Sequence, residues 1–247
     1  MLALLLSASL AHAVSGAEVA AQLASWKAQR GIDTAPTIPA KTYQQALDGE
    51  IAKGIEVVED IKAAKGYGVG VFDIPIGQLW KAITDEDHHA HHTAVTMSET
   101  IKGTPRTHDH TIFQYLPVPL VSDRWWLVNI QYTGSLYTQS AGKIWEITWR
   151  DKNTDQSVVS LLDLAQFEDA MPVAWTKGAW LLLKLDDGRT LIEYHTWSDP
   201  GGNVPVGLAT RFAAGEVAQN LTNMAKFAKS HIPTCKGKFH RPDGSRF

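Results

Sequence analysis

Apolar residues recur along this chain with two different periods, and the change of period divides it into elements. In the stretch from Arg124 to Tyr132 the even positions Trp126, Val128, Ile130 and Tyr132 form one apolar face, with Asn129 and Gln131 on the other. From Lys143 to Arg150 the odd positions Trp145, Ile147 and Trp149 do the same. A period of two marks strands with one buried face. Similar runs at Thr93 to Ile101, His108 to Leu116, Ala174 to Leu185 and Thr190 to Trp197 predict four more strands. Turn residues such as Gly103-Thr104-Pro105 and Asp186-Asp187-Gly188 separate them, so the succession predicts an antiparallel meander. Within Trp180 to Leu183 both faces are apolar, and that strand is expected to be covered on both sides. Ile55 to Ile61 and Gly66 to Ile74 read as a hairpin closed by Lys62 to Lys65. There Gly66, Gly68 and Gly70 leave one face bare, either for close approach of another segment or for a ligand.

The helical period appears three times. Val19, Leu23 and Trp26 predict a helix over Ala17 to Arg30, and Ile76, Leu79, Trp80 and Ile83 predict another over Ile76 to Thr84. The longest runs from Val204 to Ile232, with Leu208 and Phe212, then Val217, Leu221, Met224 and Ala228, on its apolar stripe. The cluster Asp199-Pro200-Gly201-Gly202 turns the chain into it, Pro205 suits its first turn, and Pro233 ends it. Gly201-Gly202 and Gly215 are the places where this helix could hinge. Strands followed by one long amphipathic helix imply that the helix lays its apolar face on the sheet.

A length of 247 residues suits one large domain or two small ones. The net charge of −3, with no basic block, argues against a nucleic-acid partner. Nine tryptophans, most of them between Trp125 and Trp197, suit a large core or an apolar cavity with a few polar contacts. Residues 1–13, MLALLLSASLAHA, resemble a signal peptide with Ala11-His12-Ala13 as the cleavage site, although no positive n-region precedes them. The expectation is an exported protein, periplasmic or secreted. Cys235 is the only cysteine, so no intrachain disulfide forms.

Residues that carry chemistry are few. His88 and His92 stand four apart in Asp85 to His92, a spacing that can hold a metal, but a solvated connection needs none and the HExxH glutamate is absent. No metal and no cofactor is expected. Glu193 and His195 share one strand face and are the candidates for acid–base chemistry if the chain is an enzyme. No nucleophile motif accompanies them.

The order of elements is a helix-grip plan, an α+β fold in which a curved antiparallel sheet wraps a long C-terminal helix. Two local motifs resemble the START (steroidogenic acute regulatory protein-related lipid transfer) domain of the Bet v 1-like superfamily. Val121-Ser122-Asp123-Arg124-Trp125-Trp126-Leu127-Val128 resembles that family's Arg-Asp-aromatic approach to a central strand. Asp199 to Pro205 resembles its D-x-x-G-x-x-P turn into the last helix. Trp125 stands where the family usually has an acidic residue, and a Trp-Asp pair is missing near His91-His92, so the resemblance bears on fold more than on ligand identity.

The basic composition of residues 233–247 and their lack of apolar period predict a mobile tail after a single START-like domain over residues 14–232. The resemblance, which covers about Trp26 to Ile232, implies a tunnel for one hydrophobic ligand such as a sterol, fatty acid or phospholipid. The expected lining is Phe113, Tyr115, Arg124, Trp126, Trp145, Trp149, Leu208, Phe212 and Met224. Arg124, if buried, needs an acid such as Asp109 or Glu193, or a ligand hydroxyl or phosphate. Lipid carriage with transient membrane contact is the leading reading; a cavity enzyme of cyclase or hydrolase type using Glu193 and His195 is the alternative.

Overall fold

A computed structural model describes residues 14–58, 63, 65–119, 121–202, 204, 206–230 and 238–247, with residues 206–215 described as backbone only. The predicted signal peptide and the start of the basic tail lie outside the described residues.

The elements follow the predicted order, with additions. Helices α1 (Gly16–Ser25) and α2 (Ala40–Leu47) precede strands β1 (Ala52–Glu56) and β2 (Lys65–Phe72). Helix α3 (Ile76–Ile83) and a 3-10 segment at Glu86–His91 lead into β3 (Met97–Lys102), β4 (His110–Leu116) and β5 (Arg124–Tyr132). Short helices α4 (Gly134–Gln139) and α5 (Gln156–Val159) flank β6 (Ile144–Asp151), and then come β7 (Met171–Pro172), β8 (Trp175–Lys184), β9 (Thr190–Asp199) and α6 (Val206–Ser230). The eight main strands are ordered β1-β2-β9-β8-β6-β5-β4-β3 with every pair antiparallel, while the short β7 runs parallel to β5.

Alternation decides which side of the sheet each residue serves. On the concave side Trp180, Leu182, Ile192 and Tyr194 join Leu79, Trp80 and Ile83 of α3 and Val217, Leu221 and Met224 of α6 in one core. On the opposite side Leu181, Leu183 and Leu191 pack with Val19 and Leu23 of α1 and with Tyr43 and Ala46 of α2. This two-sided burial is why β8 reads as continuously apolar. Gly68 settles the meaning of the bare glycine face. A Cβ there would lie 2.6 Å from Val217 Cγ1 and 2.9 Å from Leu221 Cδ1, so the absent side chain lets α6 approach β2.

The N-terminal segment is fixed to the back of the sheet by a buried charge cluster that the sequence pattern did not signal. Arg30 Nε donates to Glu146 Oε1 at 2.7 Å, and its Nη1 donates to Glu193 Oε1 at 2.5 Å. The remaining carboxylate oxygens accept from Gly31 N–H at 2.7 Å, from the Thr133 hydroxyl at 2.8 Å and from the Tyr43 hydroxyl at 3.0 Å. A buried pair with its lone pairs satisfied in this way avoids most of the cost of dehydrated charge. Burial alone would lower the Arg30 pKa, but the two carboxylates outweigh it and hold the guanidinium firmly charged.

The C-terminus departs from the expected mobile tail. Phe239 is buried, the Trp80 Nε1–H donates to the His240 carbonyl at 2.9 Å, and Phe247 packs on Trp145 with ring centroids 5.8 Å apart. Two apolar contacts and a hydrogen bond within residues 238–247 anchor a stretch whose composition gave no helical or strand period.

Candidate functional site

A cavity of about 290 Å³ lies between the concave face of the sheet and α6. Its floor comes from alternate residues of adjacent strands: Ile112, Gln114 and Leu116 of β4, Arg124, Trp126, Val128 and Ile130 of β5, and Ile147 and Trp149 of β6. Thr176 and Trp180 of β8 and Tyr194, Thr196 and Ser198 of β9 continue it. Glu216, Asn220 and Met224 of α6 form the roof, and Ile83, Glu86 and His89 form one end. Val118, Val121, Val173, Pro200 and Val204 come from loops around the other.

The wall is apolar with its polar handles largely paired. The Trp126 Nε1–H donates to Gln114 Oε1 at 2.9 Å, and Gln114 Nε2 donates to the Ser98 hydroxyl at 3.1 Å. Tyr194 stacks on Trp180 at 4.0 Å and on Trp149 at 5.8 Å between centroids. Thr176, Ser198 and Thr196 form a hydroxyl chain with separations of 2.6 and 3.2 Å.

Four of the nine residues expected to line the cavity do so: Arg124, Trp126, Trp149 and Met224. Leu208 and Phe212 fall where only the backbone is described. The other three lie elsewhere. Register pairs Phe113 with Leu127 and Tyr115 with Trp125, which puts both on the outer face, where they pack with Val158 and Phe167. The smaller alternate residues Ile112 and Gln114 face inward, so bulk was a poor guide to direction in β4. Trp145 is on the inward face but beyond the cavity, edge to face with Trp80 at 5.5 Å and Tyr137 at 5.3 Å, because α3 and the C-terminus cover that end.

Arg124 is buried, and its partners are neither Asp109 nor Glu193. Its Nε donates to the Pro200 carbonyl at 2.7 Å, its Nη2 to Gly201 O at 3.4 Å, and its Nη1 to the carbonyls of Ser122 and Asp123. The neighbouring Asp123 fixes the preceding loop, accepting from the Tyr115 hydroxyl and from Val118 N–H. These contacts hold the Asp123 carboxyl below the usual range.

Glu193 and His195 face the back of the sheet, away from the cavity. Glu193 is held by Arg30 and Tyr43, and His195 is fully buried with neither ring nitrogen hydrogen-bonded among the described residues. Burial drives the His195 pKa well below the ordinary value, with Arg30 and Lys65 adding to the shift. The histidine pair also separates: His88 Nδ1 lies 3.0 Å from Asp85 Oδ1, while His92 stacks on Phe227 at 3.8 Å. Among the described residues no group of three or more His, Cys, Asp or Glu is placed to hold a metal ion.

Five carboxyl, imidazole or amide side chains on the wall were missed by sequence reasoning: Glu86, His89, Gln114, Glu216 and Asn220. Glu216 and Asn220 are four apart on α6, one turn from Met224, so extending the helical stripe to its polar edge would have found them. Burial raises the Glu216 pKa. Nothing in the polar stretch around Glu86 announced a buried wall.

No family model matches the chain, and no curated protein does. Solved structures share its fold. A STAR-related lipid transfer protein fragment from Xanthomonas axonopodis matches with a TM-score of 0.60 at 19% identity, over 73% of this chain and 94% of that one. Human STARD10 matches with 0.58 at 13% identity, over 73% and 70%. Human StAR-related lipid transfer protein 5 matches with 0.54 at 14% identity, over 87% and 96%.

Proposed function

We propose that this chain, which has the helix-grip fold of START domains, is a carrier that holds one small hydrophobic ligand between its sheet and its last helix. The observation that carries the reading is the apolar cavity walled by Trp126, Trp149, Trp180 and Met224. A ligand of that character gains about 25 cal/mol for each Å² withdrawn from water, less the cost of immobilising it. The cavity is at the small end of ligand sites, for which about 300–1,000 Å³ is usual, so one ligand fills it. Neither of the carboxylate and imidazole groups first suspected of acid–base chemistry reaches the cavity, and the mainly apolar wall supports containment as its function.

The pattern of residues 1–13 further supports export to a periplasm or to the outside of the cell, where a carrier would move ligand through an aqueous space. N-terminal sequencing of protein recovered from the cell envelope tests that part. The carrier reading is tested by gentle purification, extraction into organic solvent and mass spectrometry. One lipid class at near-stoichiometric amount is expected. Protein that neither retains lipid nor takes up a neutral apolar dye would defeat the reading.

A further inference from the structure

Glu86 is an acid placed where a purely apolar ligand would leave it unsatisfied. It sits in the 3-10 segment Glu86–His91 that closes one end of the cavity, and its side chain is 4% exposed. Neither carboxylate oxygen has a hydrogen-bond partner among the described residues. His110 Nε2 stands 3.5 Å from Oε2, likewise without a hydrogen bond, while its Nδ1 is 2.8 Å from the Thr107 carbonyl. A buried carboxylate accepts several hydrogen bonds, and leaving it without them is costly. The opposing charge of His110 offsets the charge of Glu86 but not its missing donors. Burial alone would lower the His110 pKa, and the Glu86 carboxylate reverses the shift to a raised value, which favours the paired, net-neutral state.

The rest of the wall repeats the preference. Glu216 adds a second carboxyl in the roof. Of the two lining residues able to carry positive charge, Arg124 has its guanidinium engaged by the carbonyls of Pro200, Gly201, Ser122 and Asp123. The other, His89, is held neutral by burial. A carboxylate or phosphate brought inside would meet two acids and no free cation among the described lining residues.

We infer that the cavity selects an uncharged amphiphile whose hydroxyl donates a hydrogen bond to Glu86, and that it rejects lipids bearing a free carboxylate or phosphate. The inference rests on the carrier reading and narrows it, removing fatty acids and anionic phospholipids from the candidate ligands. The hydroxyl supplies the donor that Glu86 lacks, and its alkyl or ring body lies against Ile130, Trp149 and Trp180.

A matched pair tests it without any variant. The full chain is loaded with Nile red, an uncharged dye, and titrated at neutral pH with 1-dodecanol and with dodecanoate, which differ only in the head group. The alcohol is expected to displace the dye at about tenfold lower concentration, the size of one charge-assisted hydrogen bond gained against a repelled anion. In Glu86→Gln the side chain offers both an acceptor and a donor, so the preference should fall to within about threefold, chiefly by a gain for dodecanoate. Circular dichroism confirms that the variant is folded. Equal displacement by the two amphiphiles in the natural sequence, or a preference for the acid, overturns the inference while leaving the carrier reading intact. Failure of Nile red to bind protein that also retains no lipid defeats the carrier reading first, and with it the inference. A preference for the alcohol unchanged in folded Glu86→Gln would overturn the role given to Glu86.

Discussion

The Arg124 side chain, at the end of the cavity where Pro200 also lines it, donates from Nε to the Pro200 carbonyl, 2.7 Å away and 76 residues later in the chain. One end of this contact is the first residue of β5; the other is the turn that feeds α6. Gly201 and Gly202 in that turn hold φ values of +68° and +64°, and Asp199 Oδ1 accepts from Gly201 N–H at 2.9 Å. Backbone in the left-handed region favours glycine and gives the turn its sharpness. The guanidinium thus latches the start of β5 to the turn that feeds α6, through backbone carbonyls rather than through the Asp109 or Glu193 carboxylates expected from the sequence.

Arg124→Ala should therefore loosen this end of the cavity more than it weakens ligand contacts. It strands the carbonyls of Pro200 and Gly201 and removes a buried charge-assisted network, at a cost on the order of 1.5–3 kcal/mol. Stopped-flow release of a bound neutral dye should be faster in the variant, with equilibrium affinity reduced less than the rate is raised. Arg124→Lys should not restore the latch, because an ammonium lacks the planar fork that reaches carbonyls on both sides. Unchanged release in a folded Arg124→Ala protein would show that the turn does not control access.

The close approach of α6 to β2 should be as sensitive as a packed core. Gly68→Ala adds a Cβ facing Val217 Cγ1 at 2.6 Å and Leu221 Cδ1 at 2.9 Å, contacts closer than real Cβ atoms tolerate. Relief requires Val217 and Leu221 to change rotamer or the helix to move outward, and overpacking of this kind typically costs about 1–3 kcal/mol. Urea unfolding measures it. A variant as stable as the natural protein would mean that α6 already has room to shift.

Stability should fall on the acid side because His195 is buried uncharged. Its folded-state pKa is well below the ordinary 6.5, driven first by burial and then by Arg30 and Lys65. Between those two pKa values the unfolded chain binds a proton that the folded chain refuses. The stabilisation is fully present above the unfolded value and is lost as pH falls below it. One such proton contributes a slope of about 1.4 kcal/mol per pH unit. His89, also lowered by burial, acts in the same direction, whereas His110, raised by Glu86, contributes stability that is lost as pH rises through its folded value. His195→Leu should flatten the acid limb of urea stability measured between about pH 7 and about pH 5. An identical limb in the variant would assign the acid sensitivity elsewhere.

Much of the sheet was legible because alternation is a local signal. Arg124–Tyr132 was bounded correctly, and Trp126, Val128 and Ile130 share the inward face as their spacing required. Direction was less legible than spacing. In β4 both alternating sets carry apolar residues, Ile112 and Leu116 on one and Phe113 and Tyr115 on the other, so only pairing with β5 decides which faces the cavity. Arg30 was not legible at all. Its partners Glu146 and Glu193 lie 116 and 163 residues away, and no local pattern marks a charge that will be buried by distant strands. Glu86 was hidden for a related reason: a run of Asp, Glu and His reads as solvated, yet tertiary packing reduces its side chain to 4% exposure.

Filling the cavity should separate its function from its contribution to stability. Val128 lies on the cavity floor in the middle of β5, is 2% exposed and shares the inward face with Trp126 and Ile130. Val128→Phe places a ring in a space of about 290 Å³ without adding any polar group. Overpacking a filled core would cost about 1–3 kcal/mol, but a ring entering a cavity gains contacts and apolar burial that offset the strain. The ligand-free variant should then unfold at a urea concentration equal to or above that of the natural protein. Its dye binding should fall at least about tenfold, since the new side chain occupies the volume that a ligand would take. The two measurements together are decisive, because loss of binding with loss of stability would report only a damaged fold. Full dye binding in a stable Val128→Phe protein would place the ligand outside the cavity and remove the basis for the carrier reading.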